Sequence, residues 1–225
     1  MRRICFLIFT LLSVNLIYGQ VNKPKEPNCN RNERLISNKG SQYYYPKLMK
    51  RYLNSDSSLT LKEKSLLYYG FVFQDEFKND RNRLYRDSLR IFFAVDSLTN
   101  LDAERIIQFS DSILVVNPFN LRALNYRAYA FDHQGKGERA QGVIFRINVV
   151  LGAILNSGYG LSPDSPFYVI RESDEYAVIN AMGFLFDGKH KKVKDKYDYL
   201  TISGSEKGVD GLYFLVTTCN DKAEE

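Results

Sequence analysis

The sequence predicts an α+β protein in which helical hairpins come first and a small antiparallel sheet follows. Three observations carry this. Apolar residues recur at i, i+3/i+4 spacing through most of residues 43–154. Two stretches of that region echo each other at a period of 34 residues. After Gly158-Tyr159-Gly160 the pattern changes to turn residues and then, over Tyr197–Ser203, to alternation with a period of two. The 225 residues are 44% apolar and 25% charged. That composition excludes a fully disordered chain, a collagen and a polytopic membrane protein.

The chain opens with Met1-Arg2-Arg3, an apolar run from Ile4 to Ile17, and Tyr18-Gly19-Gln20. Basic start, apolar stretch and small residue are the order of a secretory signal, so residues 1–19 are expected to be cleaved. An uncleaved anchor is the competing reading. Fourteen helical residues span roughly 21 Å, short of a bilayer core of about 30 Å. Export to a periplasmic or extracellular compartment follows as an expectation, with no integral membrane segment after cleavage. Without residues 1–19 the chain keeps 29 basic and 26 acidic residues, a net +3. So mild a balance gives no ground for a nucleic-acid partner. Residues 20–40 are polar and read as a flexible linker; residues 221–225 read as a tail. Cys29 and Cys219 then lie near the two mature ends. In an oxidising compartment they can pair; otherwise they are two separate thiols in the tails.

The helical part is expected over residues 41–160. Tyr43, Tyr44, Leu48, Met49, Tyr52 and Leu53 form the first apolar face. Thr60 and Glu63 have capping-box spacing and start a helix carrying Leu66, Leu67, Tyr69, Phe73 and Phe77. A helix is expected over residues 80–98. Another opens at Leu101-Asp102 and ends at Asn117-Pro118. Leu124, Ala128 and Phe131, a Gly135-Lys136 turn, then Ala140 and Ile144 complete a hairpin. Ala94 and Ala128 hold the same place in the 34-residue echo. Paired helices, a proline between pairs and a small residue at the crossing resemble a tetratricopeptide repeat, although the aromatic usual near the start of its first helix is missing.

The second part, residues 161–220, is expected to be a small α+β unit packed on the helices. Phe167–Ile170 is a short strand. Ser173-Asp174 caps a helix running to Met182 and stopped by Gly183. Tyr197–Ser203 and Leu212–Thr218 make an antiparallel hairpin. Lys189, Lys191, Lys192, Lys194 and Lys196 read as a solvated loop, against the competing reading of contact with an anionic lipid, glycan or nucleic acid.

Leu66-Leu67-Tyr68-Tyr69-Gly70-Phe71, Tyr45-Pro46-Lys47, Asp174-Glu175-Tyr176 and Leu212-Tyr213-Phe214 together resemble the signature of a family of exported bacterial proteins known only as a domain of unknown function. The resemblance spans about Tyr43 to Thr218. It implies a helical front and a β-containing end, and it implies no activity.

Catalytic motifs are sparse. His133 sits at a predicted helix C-terminus, where a structural role suffices. His190 lies among lysines, and nothing in sequence spacing pairs it with another ligand, so no metal site and no cofactor are expected. No GxSxG, HExxH or phosphate loop occurs. Of the acidic pairs Asp75-Glu76 and Asp174-Glu175, helix capping explains the second. The leading expectation is therefore a non-catalytic protein- or peptide-interaction module of the cell envelope. Exposed aromatics such as Tyr68, Tyr69 and Tyr126 would anchor the partner, with Asp174, Glu175 and Tyr176 as further candidates. The alternative is a hydrolase of an envelope polymer working through Asp174 and Glu175. The two readings differ in one observable. A hydrolase needs two carboxylates lining one pocket; a binding module needs an aromatic groove without them.

Overall fold

The computed structural model describes residues 24–78, 99–204, 208–217 and 219. The expected signal segment, the helix over residues 80–98 and the tail lie outside them. So do residues 87–98, the opening of the 34-residue echo's earlier unit, with Ala94 among them. Among the described residues there are eight helices and one four-stranded sheet, so the α+β class holds.

Helix α1 (Cys29–Ser37) occupies the stretch expected to be linker. It is polar along most of its length. Asn28 caps it by accepting from the Arg31 N–H at 3.0 Å, and Ile36 is buried. Two contacts give it the order its composition lacks. Ile36 packs where α3 has Gly70, close enough that a Cβ on that glycine would lie 2.8 Å from Ile36 Cδ1. Cys29 is joined to Cys219 by a disulfide, with Cα atoms 5.4 Å apart.

Helix α2 (Tyr45–Leu53) begins with Pro46 in its first turn. Helix α3 (Leu61–Gly70) starts at Thr60 with a complete capping box: the Glu63 N–H donates to Thr60 Oγ1, and Glu63 Oε2 accepts from the Thr60 N–H at 2.8 Å. The expected longer helix breaks after Gly70 into a 3-10 turn (Phe71–Phe73) and the short α4 (Asp75–Lys78). Five consecutive residues of α3, Leu66 to Gly70, are buried. The second half of α3 is enclosed on every side, while Leu61 and Lys62 at its start stay exposed. Tyr68 and Tyr69, expected as exposed anchors, are therefore core residues at 0% and 1% exposure.

Helices α5 (Asn100–Val116), α6 (Leu121–His133) and α7 (Gly137–Leu155) pack in succession. Thr99 caps α5 in a second capping box with Asp102, and Asn120 caps α6. Ala128 and Ala140 lie in the apolar cluster with Leu124, Phe131 and Val143 between α6 and α7. His133 is the last residue of α6, as its place at a helix C-terminus required.

Strand β1 (Phe167–Val169) leads into α8 (Glu172–Ala181), followed by β2 (Leu185–Val193), β3 (Tyr197–Ser203) and β4 (Gly211–Val216). The spatial order is β1-β4-β3-β2. The β3–β4 pair is antiparallel, with Leu200 opposite Leu212, and β2–β3 is antiparallel too. β1, however, runs parallel to β4, Phe167 opposite Phe214. The sheet is mixed, because α8, β2 and β3 intervene between the two central-edge partners and bring β4 back in the direction of β1. The lysine-rich segment expected to be a loop contributes most of β2. Nearly every residue of this edge strand is exposed, so no apolar alternation marked it in the sequence.

One core cluster runs from Ile36 on α1 through α2, α3 and α7 to Leu200, Leu212 and Phe214 in the sheet. Three buried tyrosines tie it to polar groups. Tyr52 donates to Pro118 O (2.8 Å), Tyr69 to Tyr168 O (3.0 Å) and Tyr68 to Asp174 Oδ2 (2.7 Å).

Candidate functional site

Helix α8 divides the candidate residues between two sides. Ser173, Tyr176, Ala177, Asn180 and Ala181 recur at i, i+3, i+4, i+7 and i+8 and line a cavity of about 620 Å³. Asp174, Glu175, Val178 and Ile179 occupy the opposite stripe and are buried. One turn of helix thus sets Tyr176 and Glu175 facing different ways.

The cavity is walled by α6, α7 and α8. Leu121, Ile147 and Leu151 form its apolar part. Tyr126 on α6 and Tyr176 on α8 supply the aromatics. Tyr176 is held edge-on by Phe186, with ring centroids 5.1 Å apart. Arg122, Asn125, Ser173 and Asn180 complete the lining. Among the described residues Arg122 is its only charged group. Of the sequence-predicted candidates the structure thus brings Tyr126 and Tyr176 together, and it places Tyr68, Tyr69, Asp174 and Glu175 in the interior behind α8. Asp75 and Glu76, at the start of α4, are exposed and do not line the cavity.

The inner stripe is chemically unusual. Asp174, expected as a cap, sits within the first turn, and the N-cap position belongs to Arg171, which makes no side-chain cap. The Asp174 carboxylate turns inward and accepts from the Tyr68 hydroxyl, which itself accepts from the Ile170 N–H at 3.1 Å. Burial pushes Asp174 up to about 7, against the lowering effect of the Tyr68 bond. Glu175 is 0% exposed, and among the described residues neither carboxylate oxygen has a hydrogen-bond partner. Burial, then the nearby Asp198 carboxylate, push it up to about 9.

Asp198 projects from β3 and is also 0% exposed. It accepts from Lys192 Nζ at 2.7 Å, while His190 Nε2 lies 2.5 Å from its other oxygen. Lys192 is raised by this contact. Glu175, His190 and Asp198 each offer a ligand atom, and these atoms lie within 4.8 Å of one another. Sequence reading did not find this grouping. Its members come from α8, β2 and β3, and His190 was masked by the lysines around it. The one available signal was the alternation of His190 and Lys192 on a strand facing an inward Asp198.

A family model described as a domain of unknown function (DUF4919) matches residues 30–225. No curated protein and no solved structure matches the chain.

Proposed function

We propose, for a chain that belongs to the DUF4919 family and takes no activity from that membership, a non-catalytic module that binds an extended peptide segment of a partner protein in the cell envelope. One observation carries this reading: Tyr126 and Tyr176 share a cavity of about 620 Å³ that no described carboxylate lines. Its size suits a few side chains of an extended segment. Tyrosine anchors give large contact area at low entropic cost. The amides of Asn125 and Asn180 each offer a donor and an acceptor, the complement of a peptide unit. Arg122 favours a segment with an acidic side chain or a terminal carboxylate.

The acids that a hydrolase would use lie on the other side of α8. Asp174 is engaged by Tyr68, and Glu175 faces the sheet, so neither faces a substrate held in the groove. The Cys29–Cys219 disulfide supports an oxidising compartment outside the cytosol, in keeping with the basic, apolar, small-residue order of the first 19 residues.

The test is selection from a displayed library of random peptides against the purified chain. Binding peptides should carry an aromatic or apolar residue next to an acidic one. Tyr126→Ala and Arg122→Glu should each weaken them at least tenfold, about 1.4 kcal/mol. Ala181→Trp should block them by filling the exposed end of the cavity. Peptides that bind Ala181→Trp and Tyr126→Ala as well as the unaltered chain would overturn the reading.

A further inference from the structure

We propose that Glu175, His190 and Asp198 bind one divalent transition-metal ion of the zinc class between α8 and the β2–β3 pair. The geometry is the first ground. One imidazole nitrogen and two carboxylate oxygens from three different elements converge within 4.8 Å of one another. Ligands about 2.1 Å from a tetrahedral zinc ion stand roughly 3.4 Å apart, so His190 Nε2 and Asp198 Oδ1, 2.5 Å apart here, part by about 0.9 Å to admit the ion, while the more distant pairs draw in by at most about 1.4 Å.

The second ground is independent of the clustering. Glu175 is completely buried, its carboxylate reaches this cluster, and both its oxygens are without a hydrogen-bond partner among the described residues. A buried carboxylate with no donor is costly. A cation held between it and Asp198 supplies the missing partner and removes the repulsion between the two acids.

The donor set selects the ion. Carboxylates alone suit magnesium or calcium, whereas an imidazole with carboxylates suits zinc and its neighbours. Lys192 already neutralises part of the negative charge by holding Asp198 Oδ2 at 2.7 Å. That disfavours an ion held by charge alone and leaves Oδ1 as the coordinating oxygen. The lysine then acts as the outer partner that orients this ligand. The ion takes a lone pair from the neutral His190 imidazole, whose one N–H stays on the other ring nitrogen, and from the deprotonated Glu175 and Asp198 carboxylates; any carboxyl proton displaced goes to solvent, and no redox change is involved. The His190 side chain is 33% exposed, which provides the way in and an open fourth position for water. Three protein ligands with one open position is the pattern of zinc sites that polarise a water or bind an exogenous group.

The experiment is calorimetric titration of zinc chloride into the purified full chain, disulfide intact, after treatment with a chelator. One equivalent is expected to bind and to release protons. Cobalt(II) in place of zinc is expected to give ligand-field absorption. His190→Ala and Glu175→Gln should each weaken binding by at least tenfold, while His133→Ala should leave it unchanged. His190→Ala is a surface change, so it carries the test even if Glu175→Gln perturbs folding. Absence of binding to the folded chain, or equal binding by His190→Ala, would overturn the proposal.

Discussion

The Tyr68 hydroxyl donates to Asp174 Oδ2 at 2.7 Å across 106 residues of sequence, while accepting from the Ile170 N–H. A single phenol thereby fixes helix α3 against the start of α8, deep in the core. Removing it orphans two buried polar groups at once. Tyr68→Phe should therefore lower stability by about 1–3 kcal/mol, read as a lower urea midpoint with unchanged slope. A change below about 0.5 kcal/mol would mean that water replaces the hydroxyl.

Asp174 and Glu175 give the fold a direction of pH dependence. Glu175 is faced by Asp198 on β3, by His190 and Lys192 on β2, and by Glu172 and Asp174 of its own helix. Both acids sit higher in the folded chain, at about 7 and about 9, than in the unfolded one, at about 4. Between those values the folded state holds the extra protons. Their contribution is fully present below about pH 4 and is lost as pH rises through 7 and then 9. Chemical denaturation of chelator-treated protein should show stability falling from pH 5 to 9, and Glu175→Gln should flatten the upper part of that fall.

The disulfide closes a loop of 190 residues in sequence separation. Constraining so long a loop in the unfolded chain contributes at most about 5 kcal/mol. Cys29→Ser with Cys219→Ser should lower the melting temperature. It should also release α1 first, because beyond the bridge that short, mostly polar helix packs on the core only through Ile36 and the half-buried Leu35. Hydrogen exchange of amides 31–37 reads this directly. Equal protection in both forms would show that the Ile36–Gly70 contact alone holds the helix.

Gly158 has no room for a side chain: a Cβ there would stand 1.8 Å from the Pro166 carbonyl oxygen. The clash is with backbone, so rotamer changes cannot relieve it. Gly158→Ala should cost about 3 kcal/mol, the upper end for overpacking. Loss of α7–β1 packing should follow, visible as a lower thermal midpoint in circular dichroism.

Local chemistry was the legible part of this chain. Thr60 with Glu63, Asn117 before Pro118, and the alternation of Tyr197–Ser203 each specify their element through neighbours a few residues away, and each has the expected form. What could not be read depended on distant partners. Helix α1 is ordered by Gly70, some thirty residues further on, and by Cys219 near the other end of the sequence. Strand β2 has solvent on nearly every side chain, so its only specification is the ladder to β3. Tyr68 and Tyr69 look like surface anchors until four other segments surround α3. Asp174 and Glu175 were in view, but their inward orientation was not, because acids in a first turn ordinarily face water. His190 acquires its meaning only when the β2–β3 register sets it beside Asp198.

The lysines of β2 acquire a different significance from their place in the sheet. No described strand pairs with the outer side of β2, and the exposed Lys189 and Lys191 lie along it, while the Lys192 ammonium is held by Asp198. An unpaired backbone rim is a template onto which another chain can add its own strand. The ammonium groups of Lys189 and Lys191 make that addition repulsive between identical molecules. The same positive charge that gives this segment its loop-like composition thus acts as a colloidal guard, keeping neighbouring copies from stitching their sheets into a fibre.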